Sequence, residues 1–338
     1  MLFVIGPARS VEDIHFGAYL HKETSVGKFF RHCWSAATPT PLPIPDHVFP
    51  SEADATSAFL GTLAYKRAGH PPSQWPKFGP TFLDPAYEPF LLATAARIKA
   101  ASPTCILAMG AIPLWLCTGD GNLKGHRGAV QWSVRFGCKV LPTYDPATVW
   151  TDWSLRSAFI NDISKAIAES AFKEIRLTER IISVVDHPHE IHQALHGFPF
   201  NDPAALLSVD VETEANQITC LAMARSHDRA VVVPFWNKTR LGWHHFTPQE
   251  ELDAWAAVRH YLEAPCAKLF HNATFDLSYF HIHGIHPAGT IHDSMLRSHA
   301  LQPELPKSLG HLGSIYAQEG SWKLLNRKRK KDEWKADA

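Results

Sequence analysis

Along the chain, short apolar runs with strand character alternate with longer stretches of helical spacing. Residues 2–5 read as a buried strand running into Gly6-Pro7. Residues 35–85 are rich in Pro, Ser and Thr with weak periodicity, which predicts long loops around one helix near 52–66. A helix is predicted over 89–101, then a buried strand over 104–109 ending at Gly110, and a short helix over 112–117 closed by Thr118-Gly119. Residues 140–144 predict another strand leading into Asp145-Pro146. Over 154–172, Phe159, Ile163, Ala166, Ile167 and Ala171 share one helical face.

The second half opens with a predicted strand at 180–185 and a helix near 189–196. Three strand-like runs follow, at 206–211, 218–224 and 230–235, separated by turn-forming residues, and they predict a β-meander. A helix over 250–262, a strand at 268–270 and helices over 275–283, 294–301 and 309–317 complete the pattern. The alternation implies an α/β protein of two domains, with the boundary near 174–180.

One strand breaks its own pattern. In Val209-Asp210-Val211-Glu212-Thr213, two carboxylates sit at i and i+2, on one face of an otherwise apolar strand. Like charges side by side repel, and near a core they are costly unless a cation shares them. His271-Asn272-Ala273-Thr274-Phe275-Asp276 lies where a strand passes into a helix, so Asp276 faces the pair if the two strands are neighbours. Three carboxylates are hard oxygen ligands and suit Mg²⁺ or Mn²⁺.

Composition narrows the classes. The 338 residues are 45% hydrophobic and 20% charged, which suits a folded protein and not a disordered one. No apolar run approaches the ~18 residues of a membrane span, and the first residues lack signal-peptide features, so a cytoplasmic protein without membrane contact is expected. Six widely spaced cysteines without a CxxC pair predict reduced, buried thiols. Of the 21 histidines, only His192 and His196 have the helix spacing of zinc hydrolases, and Gln193 replaces the Glu such sites need.

The acidic motifs resemble those of a known family. Residues 205–323 are similar to the 3′–5′ proofreading exonuclease domain of bacterial and phage family A DNA polymerases, a ribonuclease-H-like fold of the DEDD class. Asp210-Val-Glu212-Thr213 matches the first exonuclease motif and Asn272-Ala-Thr-Phe-Asp276 the second; His292-Asp293-Ser-Met-Leu296 resembles the segment that follows in phage versions. The resemblance implies Asp210, Glu212 and Asp276 as metal ligands in a two-metal site for Mg²⁺ or Mn²⁺. It implies Thr213 and Asn272 as contacts to the 3′-terminal nucleotide, and a polymerase domain or subunit as partner. The family's third motif, a Tyr followed four residues later by an Asp, has no match after Tyr316; the fourth ligand would come from beyond residue 338, from another chain, or be missing.

Residues 1–173 resemble the uracil-DNA glycosylase superfamily, whose copies precede some phage polymerase exonucleases. The matching stretches are Phe3-Val-Ile-Gly-Pro-Ala8, Cys105-Ile-Leu-Ala-Met-Gly110, Lys124-Gly-His-Arg-Gly128 and Leu141-Pro-Thr-Tyr-Asp-Pro-Ala-Thr148. Two loops depart from the family: Pro7 follows Gly6 where an acidic residue belongs, and Asp145 precedes Pro146 where a histidine stabilises the departing base. These departures imply a retained three-layer fold that grips DNA through Lys124, His126 and Arg127 without efficient uracil excision; an active glycosylase is the alternative. No paired cysteine spacing supports an iron–sulfur cluster.

The expected domains are therefore 1–174, glycosylase-like; 175–322, exonuclease; and 323–338, a basic tail. Residues 323–335 hold seven Lys or Arg and two acids, so the overall balance of 33 basic and 33 acidic residues averages unlike parts. That tail, with Trp322 and Trp334, is suited to the phosphates and bases of a single strand or a frayed 3′ end. A non-catalytic DNA-binding or polymerase-accessory protein is the reading from a different class.

Overall fold

Cys105–Met109 is apolar and buried at every position, as a strand must be when helices cover both faces of its sheet. In the computed structural model it is the centre of a five-stranded sheet in the order β2-β1-β5-β7-β6. The structure describes residues 1–6, 20–38, 48–49, 77–78, 81–82, 88–176, 179–239 and 242–317. The strands are β1 (Leu2–Ile5), β2 (Val48–Phe49), β5 (Cys105–Met109), β6 (Gln131–Ser133) and β7 (Cys138–Thr143), with a separate two-stranded pair formed by β3 (Lys77–Phe78) and β4 (Thr81–Phe82). β2, β1, β5 and β7 run parallel, and β6 is an antiparallel edge.

Two apolar clusters lie on the two faces of this sheet. Leu2, Val4, Leu107 and Leu141 pack with Phe29, Phe30, Phe159 and Ile163 of helices α1 (Ser25–Ala37) and α6 (Arg156–Glu169). Phe3, Ile5, Ile106 and Val140 pack with Ile98 and Leu114 of α2 (Glu88–Ala101) and α3 (Ala111–Thr118). The unit is thus a three-layer α/β arrangement. Helix α1 adds to the expected elements, although Val26, Phe29, Phe30, Cys33, Trp34 and Ala37 recur at helical spacing; its start is fixed by Thr24, whose hydroxyl accepts from the Gly27 amide at 3.0 Å. Gly27 is required there, because a Cβ would lie 1.9 Å from the His21 carbonyl oxygen. The helix expected near 52–66 lies outside the described residues.

The chain divides into two compact units, with the second spanning Leu177–Leu309. Its six-stranded mixed sheet has the order β13-β12-β9-β10-β11-β8. The predicted meander forms its centre: β9 (Leu206–Glu214), β10 (Gln217–Ala224) and β11 (Arg229–Pro234) are antiparallel. β9 and β10 are joined by Ala215 and Asn216, both at positive φ (50° and 62°), as a two-residue hairpin turn of matching twist requires. β8 (Ile181–Val184) joins β11 in parallel, while β12 (Ala267–Phe270) and β13 (Ile291–Asp293) extend the other edge in parallel. Helix α8 (Pro248–Leu262) starts with a capping box between Thr247 and Glu250, and its Val258 and Leu262 pack on Val209, Val211, Leu221 and Val233. The α/β class expected from the sequence is the class of both units.

One element falls elsewhere than the sequence places it. The last described helix, α11 (Leu309–Tyr316), expected with residues 175–322, belongs from Gly310 on with the first unit. The reason is polar. Arg127 donates to the Ser314 hydroxyl, Asn161 Nδ2 donates to the Ile315 carbonyl at 3.1 Å, and Lys165 Nζ donates to the carbonyls of Ser314 and Ala317. A lysine on the open carbonyls of a helix C-terminus satisfies them and complements the helix dipole.

Candidate active site

β9 buries Leu207, Val209 and Val211 on the core side, and its alternation turns Asp210 and Glu212 to the opposite, exposed face. Its parallel pairing with β12 ends at Leu269 opposite Ser208. From there the chain turns through Asn272, at φ 72°, into α9 (Ala273–Ile282). A buried backbone amide still needs an acceptor, and a side chain supplies it: Asp276 Oδ1 accepts from the Val211 amide at 3.1 Å.

That bond brings the two sequence motifs together. Asp276 is only 2% exposed. Its burial, then the charge of Asp210, push its carboxyl up to about 7, against the opposing pull of the Val211 amide. Cys220, opposite Glu212 on β10, belongs to the same surroundings; burial, then the charges of Glu212 and Asp210, push its thiol up. The donor set is all oxygen and its members repel one another, which fits a hard divalent cation. Among the described residues, however, no three His, Cys, Asp or Glu side chains converge closely enough to hold a metal. Asp210 and Asp276 are coupled by charge, and Glu212 shares their strand face two residues on.

Asp293 is the residue that sequence reasoning missed as a site member. It ends β13, opposite Phe270, and caps α10 (Ser294–Leu301). Its carboxylate accepts four backbone amides: Asn272 at 3.1 Å, Ala273 at 2.8 Å, Met295 at 2.8 Å and Leu296 at 3.2 Å. Burial pushes the carboxyl up, but the four amides outweigh it and hold Asp293 below the ordinary carboxylate range. Asp293 therefore ties the first turn of α9, and with it Asp276, to the sheet edge. The signal was an Asp directly before a helical run, the usual N-cap pattern.

The remaining sequence candidates separate. Thr213 is half-buried and alternates to the other face of β9, away from Glu212, and Asn272 is exposed at the start of α9. In the first unit Lys124 is exposed, while His126 Nε2 lies 2.9 Å from Asp120 Oδ2. Arg127 is not available to DNA: it is buried, and its Nη1 donates to both oxygens of Asp162, at 2.9 and 3.0 Å. Gly6 is buried at the end of β1, and Pro7 lies outside the described residues. Asp145 is the N-cap of α5 (Pro146–Thr151), accepting from the Ala147 amide at 3.3 Å with the buried Pro146 at the first helical position. Burial pushes the Asp145 carboxyl up to about 6. His192 hydrogen-bonds the Tyr261 hydroxyl at 3.0 Å, and all six cysteines are free thiols. The basic tail with Trp322 and Trp334 lies outside the described residues. No described helix is long and apolar enough to cross a membrane.

No protein-family model and no curated protein matches the chain. Solved structures match part of it. The matches include nucleases. Brucella melitensis NrnC matches at 14% identity over 43% of this chain and 63% of its own, with a TM-score of 0.29. NrnC with bound Mg²⁺ matches at 14% identity over 43% and 64%, with a TM-score of 0.28. The EXD2 exonuclease domain soaked in Mn and GMP matches at 18% identity over 41% and 70%, with a TM-score of 0.24. The chain thus spans less than two thirds of the length of the NrnC structures.

Proposed function

We propose that the second unit is a divalent-metal-dependent 3′–5′ exonuclease of the proofreading type, acting on the 3′-terminal phosphodiester of single-stranded or frayed DNA. One observation carries this reading: the buried Asp276 carboxyl is anchored on the Val211 amide and coupled to Asp210, with Glu212 on the same strand face. Asp210, Glu212 and Asp276 would hold the cation, and Asp293 keeps Asp276 in place. Bound there, a divalent ion would offset the charge of a phosphodiester and make a water more acidic. Without a cation, the site relieves its own repulsion by retaining a proton on Asp276 up to about pH 7. Asn272, exposed at the start of α9, is the one of the two expected nucleotide contacts placed beside the carboxylates, since Thr213 alternates to the other face of β9.

In the first unit, the glycosylase-like loops Gly6, Gly110 and Asp145 all follow parallel neighbouring strands, at one edge of the sheet. With Asp145 engaged in capping α5, this unit serves as a DNA-binding module in our reading, Lys124 and His126 being its remaining contacts.

The test is degradation of 5′-labelled single-stranded DNA in Mg²⁺. The unaltered protein should release mononucleotides from the 3′ end, and the Asp210→Ala, Glu212→Ala double variant should not. Equal degradation by the variant would falsify the assignment. A second reading, a DNA-binding protein without catalysis, is favoured by the lack of a converged three-ligand cluster among the described residues. It predicts single-strand binding with no mononucleotide release even in Mn²⁺.

A further inference from the structure

The first unit has a second chemically distinct edge. At the amino-terminal ends of β5 and β7, opposite the edge that carries Gly110 and Asp145, lies an open cavity of about 260 Å³. Three cations line it from three separate segments: Lys99 from the last turn of α2, Arg135 from the β6–β7 turn and Lys173 after α6. Ser102 and Thr104 add hydroxyls, and no carboxylate is among the lining residues. The three cations have no carboxylate partner among the described residues.

Glu174, exposed next to Lys173 in the chain, is not among the lining residues. Glu169, an acid at this end of the sheet, is buried and bonded to the buried Lys139 at 2.6 Å, so the pair is internally neutral. Cys138 lines the cavity as an uncharged thiol, since burial pushes it up to about 11. The rim is shaped by two left-handed turns, Ser102 at φ 46° and Gly137 at φ 62°, and the first is a conformation that a non-glycine residue adopts only at some cost. Three like charges brought to one concavity repel unless an anion sits between them. Lys and Arg with hydroxyl donors match the oxygens of a phosphate group. At about 260 Å³ the cavity is smaller than the roughly 300–1,000 Å³ of sites that enclose whole small molecules, which suits one charged group of a larger ligand.

We propose that Lys99, Arg135 and Lys173 form a phosphate-binding site on the first unit, taking either a free phosphate ester or a backbone phosphate of nucleic acid. It is independent of the nuclease reading: its residues lie in the other unit, and binding is measured in EDTA, where no metal-dependent hydrolysis runs.

The experiment uses the full chain and two probes, inorganic phosphate followed by calorimetry and a short 5′-fluorescein single-stranded oligonucleotide followed by anisotropy. The Lys99→Ala, Arg135→Ala, Lys173→Ala variant should bind phosphate at least about tenfold more weakly than the unaltered protein. A control with the same loss of charge, Lys22→Ala, Lys28→Ala, Lys238→Ala, should change little. If oligonucleotide binding falls as well, with a salt slope shallower by about 2, the source is a nucleic-acid backbone. If phosphate binding alone falls, the ligand is a free ester. If the triple variant loses its fold by circular dichroism, the Lys99→Glu, Lys173→Glu pair carries the same test, both residues being exposed. Phosphate affinity falling no further than in the control overturns the site.

Discussion

In the first unit the central sheet is covered by helices on both faces, and the charged side chains that enter it are paired. Arg127 meets Asp162 at 2.9 Å, and Lys139 meets Glu169 at 2.6 Å. In the second unit the apolar core packs on one face of the sheet, and the other face carries Asp210 and Glu212 beside the buried Asp276. Its buried Lys268 is satisfied by the backbone carbonyls of Ala264 and Cys266. The contrast separates two uses of buried charge. A carboxylate held by a guanidinium and a hydroxyl, as Asp162 is by Arg127 and Thr143, has its partners within the fold. Burial pushes both acids up, Asp162 to about 6 and Asp276 to about 7, but Asp276 has the charge of Asp210 beside it in place of a guanidinium.

The contrast is broken most directly at Asp162. Asp162→Ala strands Arg127 in the interior and should cost about 3–5 kcal/mol in unfolding free energy, measured by urea denaturation. Replacing both partners, Arg127→Met with Asp162→Leu, should recover most of that loss. A single variant as stable as the unaltered protein would show that this pair is not structural.

Asp293 is the corresponding test in the second unit. Asp293→Ala leaves four amides without their acceptor, and we expect a loss of about 1–3 kcal/mol together with slower release of mononucleotides. Asp293→Asn keeps one acceptor oxygen and should restore part of both. A rate unchanged in Asp293→Ala would separate the latch from Asp276.

The smallest effect is thermodynamic linkage. The folded Asp276 carboxyl titrates at about 7, above its ordinary 3.8. Between these values the folded state binds more protons than the unfolded chain, so this group's contribution to stability falls as pH rises from about 4 to about 7. Above that window both states are ionised and the full repulsion remains. A bound divalent ion offsets it, so the rise in Tm on adding Mg²⁺ should be a few degrees and grow from about pH 5 to about pH 8. The Asp210→Ala, Glu212→Ala variant should show no such growth, and growth that persists there would place the cation elsewhere.

Much of this was legible in the chain. The β5 run, the meander, the capped helix over Pro248–Leu262 and the paired carboxylates of β9 follow from short-range periodicity and turn chemistry, which act within a few residues. Helix α1 is equally legible, since Val26, Phe29, Phe30, Cys33, Trp34 and Ala37 recur at the spacing of one helical face, and the structure seats that face against Phe159 and the sheet. The burial of Arg127 was not legible: a basic residue in a loop looks the same in sequence whether it faces solvent or an Asp 35 positions away.

The sequence by itself determined the α/β class, the apolar strands and the i, i+2 carboxylate pair, since these depend on alternation within single elements. Only the tertiary structure decided which charges are satisfied. β12 ends early beside β9, so Asp276 bonds the Val211 amide next to Asp210, and β13 brings Asp293 to the start of α9. Burial and neighbouring charge are properties of packed elements, and together they make one aspartate a latch and hold another above the ordinary carboxylate range.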